Sequence, residues 1–219
     1  MTKRRTTRLL AAAIAAGTLG LLVSMADAEE RPTPAPPGPA EAPRSDAAAP
    51  SDRDSAPQIP DPVLVDQNGE RHRFYTDLVK GKLVLMNSIF TSCPGTCPAQ
   101  TAIFAQVQQL LADRPGMNVQ MLSVSLDPVT DTPERLKEFA DRFHAKPGWL
   151  FLTGPKQDVT EVLQAMDIYS ADPADHTPMA AIGHEPAGLW MKVINLNAPA
   201  DIAARVERVK ALGDERLAK

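Results

Sequence analysis

Cysteine is nearly absent from this sequence, with two in 219 residues, Cys93 and Cys97. Any thiol redox or thiolate–metal chemistry is therefore confined to one short window. The chain also lacks an excess of positive charge. It carries 23 Lys+Arg against 27 Asp+Glu, and no basic patch stands out after the first 28 residues, which argues against a nucleic-acid partner. Long apolar runs are missing too. The candidate run, Leu9 to Val23, falls short of the roughly 20 residues that a membrane-spanning helix needs. No cysteine lies near that run, so a lipid-modified N-terminus is not expected. No internal repeat is visible.

What is present begins with a leader. Lys3, Arg4, Arg5 and Arg8 precede the apolar run, and Ala26-Asp27-Ala28 follows it with the small-x-small pattern of a signal-peptidase site. Residues 1–28 therefore read as a signal peptide, with an uncleaved anchor as the alternative. The Arg4-Arg5 pair is a poor twin-arginine signal, because the residues after it do not fit. Without residues 1–28 the balance is 19 basic against 26 acidic side chains, about −7 at neutral pH. Residues 29–57 are rich in Pro, Ala, Ser and Asp and nearly devoid of large apolar side chains. Such a segment cannot bury a core and reads as a disordered or polyproline-like tether. The folded domain is expected over 58–219. Export, to a periplasm or beyond, places the two cysteines in an oxidising compartment. There an isolated pair closes a disulfide unless a metal or a reductant intervenes.

Within 58–219, Pro62 to Phe74 reads as a hairpin around Asn68-Gly69. Lys82 to Ile89 is apolar and β-favouring and reads as a buried strand. Ile103, Phe104, Val107, Leu110 and Leu111 then recur at helical spacing. The stretch Phe90-Thr91-Ser92-Cys93-Pro94-Gly95-Thr96-Cys97-Pro98 thus sits where a strand turns into a helix. Free N–H groups and the positive end of the helix dipole stabilise a thiolate there. If the first turn is helical, cysteines four apart share one face, able to close a disulfide or grip a soft metal. The bland reading is a structural disulfide or two buried thiols, but the prolines and glycine around them suggest a shaped, partly exposed loop.

Asn118 to Leu126 is the next strand, followed by Asp127-Pro128-Val129-Thr130-Asp131-Thr132-Pro133-Glu134. Thr132 before Pro133, or Asp131 with Glu134, would cap a helix striped by Leu136, Phe139, Ala140 and Phe143. Asp127 stands just past a strand's carboxyl end, the edge where open α/β sheets carry their chemistry, though a turn aspartate before proline explains it equally well. Trp149 to Thr153, Met179 to Ile182 and Leu189 to Ile194 read as strands. Helices are expected around Val159 to Met166 and after Pro199. The alternation gives an α/β domain with a mixed sheet. The methionines at core-like positions, Met86, Met117, Met121 and Met166, read as packing.

Two sulfurs leave a metal site incomplete, and imidazole is the natural third donor. His72 reads as a solvated strand residue and His144 as part of a helix end. His176 precedes the strand Met179 to Ile182 and His184 follows it, so the two would sit at opposite ends and could not share one ion.

Three motifs in order resemble the Sco/SenC family of thioredoxin-like copper proteins that help metallate cytochrome c oxidase. They are Phe90-Thr91-x-Cys93-Pro94-x-x-Cys97-Pro98, Ser125-Leu126-Asp127-Pro128-x-x-Asp131-Thr132 and Asp175-His176-Thr177 before a strand. The similarity covers about residues 58–212. It implies a thioredoxin-like fold, a mixed central sheet flanked by helices with an N-terminal β-hairpin. It also implies copper bound by Cys93, Cys97 and His176, with Asp127 a neighbouring acid. Thr177-Pro178 falls where such a fold carries a cis-proline facing the sulfurs, so a cis bond at Pro178 is expected. Two features depart from better-known members. Tyr169 to Asp175 is shorter than their hairpin insertion, and the leader looks cleavable where they are usually anchored.

Thiolates and imidazole suit Cu(I) and are compatible with Cu(II). Zinc accepts the same set plus water, but no glutamate is placed as a base to use that water. The leading expectation is a copper carrier that hands its metal, once the pair is reduced, to an acceptor such as a cytochrome oxidase subunit. A thiol reductant would be a second partner. The competing expectation is a thiol–disulfide oxidoreductase with Cys93 as nucleophile and Cys97 resolving. Cys-x-x-Cys is the commoner redox spacing, and no peroxidase context surrounds Cys93.

Overall fold

The computed structural model describes residues 57–171, 178–194, 196 and 198–219. Strands β1 (Val63–Asp66) and β2 (Arg71–Arg73) form the expected hairpin, turning at Gly69 with φ +81°, a conformation that favours glycine. Asp66 closes that hairpin from inside. One carboxylate oxygen accepts the Asn68 and Glu70 N–H groups at 2.8 and 3.0 Å, and the other meets His72 Nε2 at 3.1 Å. His72 is therefore tied into the hairpin and is not the solvated residue that its polar strand suggests.

The chain then makes one turn of π-helix, Phe74–Val79, a feature with no visible sequence signal, before β3 (Leu83–Ile89). Helix α1 (Thr96–Ala112), β4 (Val119–Ser125), α2 (Pro133–Arg142), β5 (Trp149–Thr153) and α3 (Lys156–Ala165) follow in turn. Beyond the undescribed stretch come β6 (Met179–His184), β7 (Leu189–Ile194) and α4 (Pro199–Leu217). The seven strands form one mixed sheet in the order β2-β1-β5-β4-β3-β6-β7. β3, β4 and β5 run parallel, joined by helical crossovers, while β1, β6 and β7 pair antiparallel to their neighbours. Among the described residues no helix is long and apolar enough to cross a membrane.

The two faces of the sheet are covered differently. Phe104 and Val107 of α1, Leu136 and Phe139 of α2, and Ile202 and Val206 of α4 bury one face. Leu78 and Val79 of the π turn and Val159, Val162 and Leu163 of α3 bury the other. Every residue of β3 is buried, the apolar Leu83 to Met86 and Ile89 together with the polar Asn87 and Ser88, as befits a strand covered on both sides. Helix ends follow local chemistry. Thr132 Oγ1 accepts the Arg135 N–H at the start of α2, and Pro133 and Pro199 occupy first-turn positions where a missing N–H is harmless. β6 runs two residues beyond the expected Ile182, because Gly183 and His184 continue the ladder to β7. Gly183 is required there: the Trp190 indole lies against its Cα, and a side chain would meet the ring.

Aromatic packing anchors the first face. Trp149 stacks within 4.8 Å of Phe151 and within 6.1 Å of Phe104, ring centre to ring centre. Phe104 is fully buried on the helix that carries Cys97. Phe104→Ala should destabilise the domain by about 3–5 kcal/mol, read as a fall in the urea midpoint at unchanged m. A loss below 1 kcal/mol would contradict this account of the core.

Candidate functional site

The strands β3 and β4 end together, with Ile89 paired to Ser125 and the Leu126 N–H bonded to the Ile89 carbonyl at 2.7 Å. Two loops leave this edge, Phe90 to Gly95 from β3 and Leu126 to Thr132 from β4. The first carries Cys93 and leads into Cys97. Its chain reverses at once, with the Cys93 N–H on the Phe90 carbonyl at 3.2 Å, and α1 begins at Thr96.

Cys93 therefore lies outside the helix, and the cysteines do not meet by sharing a helical face. They meet because the loop folds the Cys93 sulfur back over the helix start, where the Cys97 N–H donates to it at 3.3 Å. Gly95, at the N-cap position, has no side chain to satisfy the first amides, and the sulfur takes that place.

This arrangement makes the two thiols unequal. Partial burial alone would raise Cys93, but N–H donors from Cys97, Gly95 and Thr96 outweigh it and hold its pKa below the ordinary thiol value. Cys97 is fully buried, and that burial, reinforced by the neighbouring Cys93 and Asp131, pushes its pKa up to about 12 despite a Phe90 N–H donor. Cys93 is thus the more acidic sulfur, and Cys97 holds its proton the more firmly.

The acid woven into the site is Asp131, which the sequence offered only as a helix cap. It is completely buried. Its carboxylate accepts the Thr91 N–H at 3.1 and 3.3 Å, the Thr91 hydroxyl at 2.5 Å and the Ser125 hydroxyl at 2.6 Å. Asp127 is half-buried in the same loop; its N–H donates to Ser125 Oγ at 3.0 Å, and its carboxylate has no hydrogen-bond partner among the described residues. The signal that would have separated the two acids is Thr91, a hydroxyl beside the cysteine loop in search of an acceptor.

The histidines divide clearly. His184 ends β6 opposite Leu83, the far end of β3 from the cysteines, and contacts Asp214 at 3.3 Å, so it is remote from the sulfurs. His144 follows α2 in the left-handed region at φ 56°. His176 lies outside the described residues, as does the Thr177–Pro178 bond. Pro178 itself directly precedes β6, whose first residue Met179 offers its carbonyl to Gln100 Nε2 at 3.2 Å. Gln100 sits three residues after Cys97 on α1, so the start of β6 is fastened to the cysteine helix.

A mixed sheet with a cysteine pair at the junction of a central strand and its crossover helix defines a thioredoxin-like protein. The SCO1/SenC family model matches residues 52–206, and the chain belongs to that family. An SCO2-like protein of Rickettsia conorii is 34% identical over 108 residues, covering 49% of this chain and 50% of its own length. The chain spans about half the length of these curated relatives. Among solved structures, BsSco, a cytochrome c oxidase assembly protein of the Sco family with a disulfide switch, superposes with a TM-score of 0.58 at 25% identity, over 72% of this chain and 98% of its own. Copper-bound ScoI of Bradyrhizobium japonicum gives 0.53 at 25% identity, over 67% and 96%.

The unequal thiols have a direct test. At pH 8 iodoacetamide should label Cys93 and spare Cys97, and the Cys93 rate should titrate with a midpoint below that of a free thiol. Cys93→Ser should leave the protein unlabelled under the same conditions. Equal labelling of both cysteines would contradict the geometry.

Proposed function

We propose that this chain is an exported copper carrier in which Cys93, Cys97 and His176 hold the ion and pass it to an acceptor protein during assembly of cytochrome c oxidase. The observation that carries the reading is the convergence of two sulfurs on the amide-rich start of α1, one of them already favoured as thiolate. Membership of the SCO1/SenC family and the copper held by a relative of similar fold support it. Soft thiolate donors select Cu(I), and an imidazole as third ligand keeps the site compatible with Cu(II). The fastening of β6 to α1 through Gln100 keeps the start of that strand beside the helix that carries Cys97, and the choice of His176 as third ligand rests on its Asp175-His176-Thr177 motif.

The proton on Cys97 shapes how the ion would be held. A metal ligand must be deprotonated, so loading displaces a proton that the fold otherwise retains to about pH 12. Binding should therefore strengthen as pH rises, and acidification should favour release. Handover proceeds by ligand exchange, the acceptor's donors replacing these one at a time, and needs the cysteine pair reduced.

The inequality of the thiols also favours a second reading, a thiol–disulfide oxidoreductase in which Cys93 attacks and Cys97 resolves. The two readings separate in an anaerobic Cu(I) titration of the reduced protein. One equivalent should bind tightly, binding should be lost in Cys97→Ala and at least tenfold weaker in His176→Ala. Full binding by His176→Ala would remove that ligand from the proposal. Absence of binding alongside ready disulfide exchange would leave the oxidoreductase.

A further inference from the structure

A buried carboxylate is expensive unless its oxygens are satisfied, and one without a cation beside it is rarer still. Asp131 is such a group: it is fully buried, and no Lys or Arg among the described residues pairs with it. Its partners are all neutral donors, and they come from two different chain segments. Thr91 gives its N–H and its hydroxyl from the loop that leaves β3, two residues before Cys93. Ser125 gives its hydroxyl from the last position of β4 and in turn accepts the Asp127 N–H. The loop of Asp131 is itself closed by the Asp131 and Thr130 N–H groups on the Asp127 carbonyl, at 2.9 and 3.0 Å. The carboxylate thus rivets the exit of β3 to a rigid loop at the end of β4.

We propose that Asp131 is a positioning residue that fixes the cysteine loop in the folded-back form, and so sets how readily Cys93 and Cys97 close a disulfide. The inference rests on these cysteines being the working pair, and it holds whether or not copper is the cargo. The loop between Thr91 and Thr96 contains Pro94 and Gly95 and has few anchors of its own, while α1 is held by the core. Pinning Thr91 adds a side-chain anchor at the β3 end of that loop, next to the core residue Phe90, and so helps keep the Cys93 sulfur over the Cys97 amide. Loss of the pin lets Cys93 swing outward and lowers its effective concentration at Cys97.

The test is equilibration with glutathione and glutathione disulfide at pH 7. In it Cys93 and Cys97 lose two protons and two electrons as their S–S bond forms, and glutathione disulfide is split into two glutathione thiols. Asp131→Asn preserves shape but replaces one acceptor oxygen with a donor, so it cannot accept all of the present bonds. Its equilibrium constant for oxidation should fall at least tenfold, about 30 mV toward a more easily reduced pair. Thr91→Val should shift the constant in the same direction and Thr91→Ser should restore it, a pair that decides the matter even if Asp131→Asn folds poorly. Phe104→Ala, which weakens the core, should leave the constant unchanged. An unaltered constant in folded Asp131→Asn, or equal shifts in Thr91→Val and Thr91→Ser, would overturn the proposal. Copper stoichiometry measured on the same variants reports separately on the carrier reading.

Discussion

Strand β3 is buried on both faces and hydrogen-bonded on both edges, so its chain can leave the core only at the sheet edge after Ile89. It must then start helix α1 at Thr96, within a handful of residues, because α1 covers the same sheet on the way to β4. That reversal leaves the first amides of α1 exposed to whatever the loop presents. Here the loop presents a sulfur. The unequal thiols, the packing of Cys97 and the reach of Cys93 all descend from this one junction, in which a helix start is capped by a thiol where an oxygen is usual.

The supporting parts hold the junction from more than one side. Asp131 fastens the loop from the β4 side, and Gln100 fastens the start of β6 from within α1. Beneath them a buried polar chain, the Trp149 indole to Ser123 and Ser123 to Asn87, links β5, β4 and β3 under the aromatic cluster. The Asn87 side-chain nitrogen and the Gln100 side-chain oxygen are buried without a hydrogen-bond partner among the described residues. A group of rigid elements therefore surrounds a short stretch of chain whose chemistry depends on small displacements of sulfur.

Much of this was legible in the sequence, for reasons that can be named. The strands β3, β5 and β7 follow from unbroken or alternating apolar runs, and α2 and α4 from proline in the first turn with a regular buried stripe. The cysteine loop is visible because Pro and Gly interrupt two strongly patterned segments. What was not legible depends on contacts distant along the chain. Asp131 and Thr91 are forty residues apart, and nothing local distinguishes an aspartate that caps a helix from one that reaches another loop. The spacing of Cys93 and Cys97 suggested a shared helical face, whereas the helix starts only at Thr96 and the loop brings the sulfurs together. His72 looked solvated because its partner, Asp66, lies across the hairpin. The π turn at Phe74–Val79 has the composition of an ordinary helix end.

The proposed copper site is one coordination sphere, and X-ray absorption at the copper edge reads it directly. Protein reduced and loaded anaerobically with one equivalent of Cu(I) should show two sulfur scatterers and one nitrogen, the nitrogen vanishing in His176→Ala while both sulfurs remain. A sphere with a single sulfur, or one unchanged by removing His176, would contradict the proposed site.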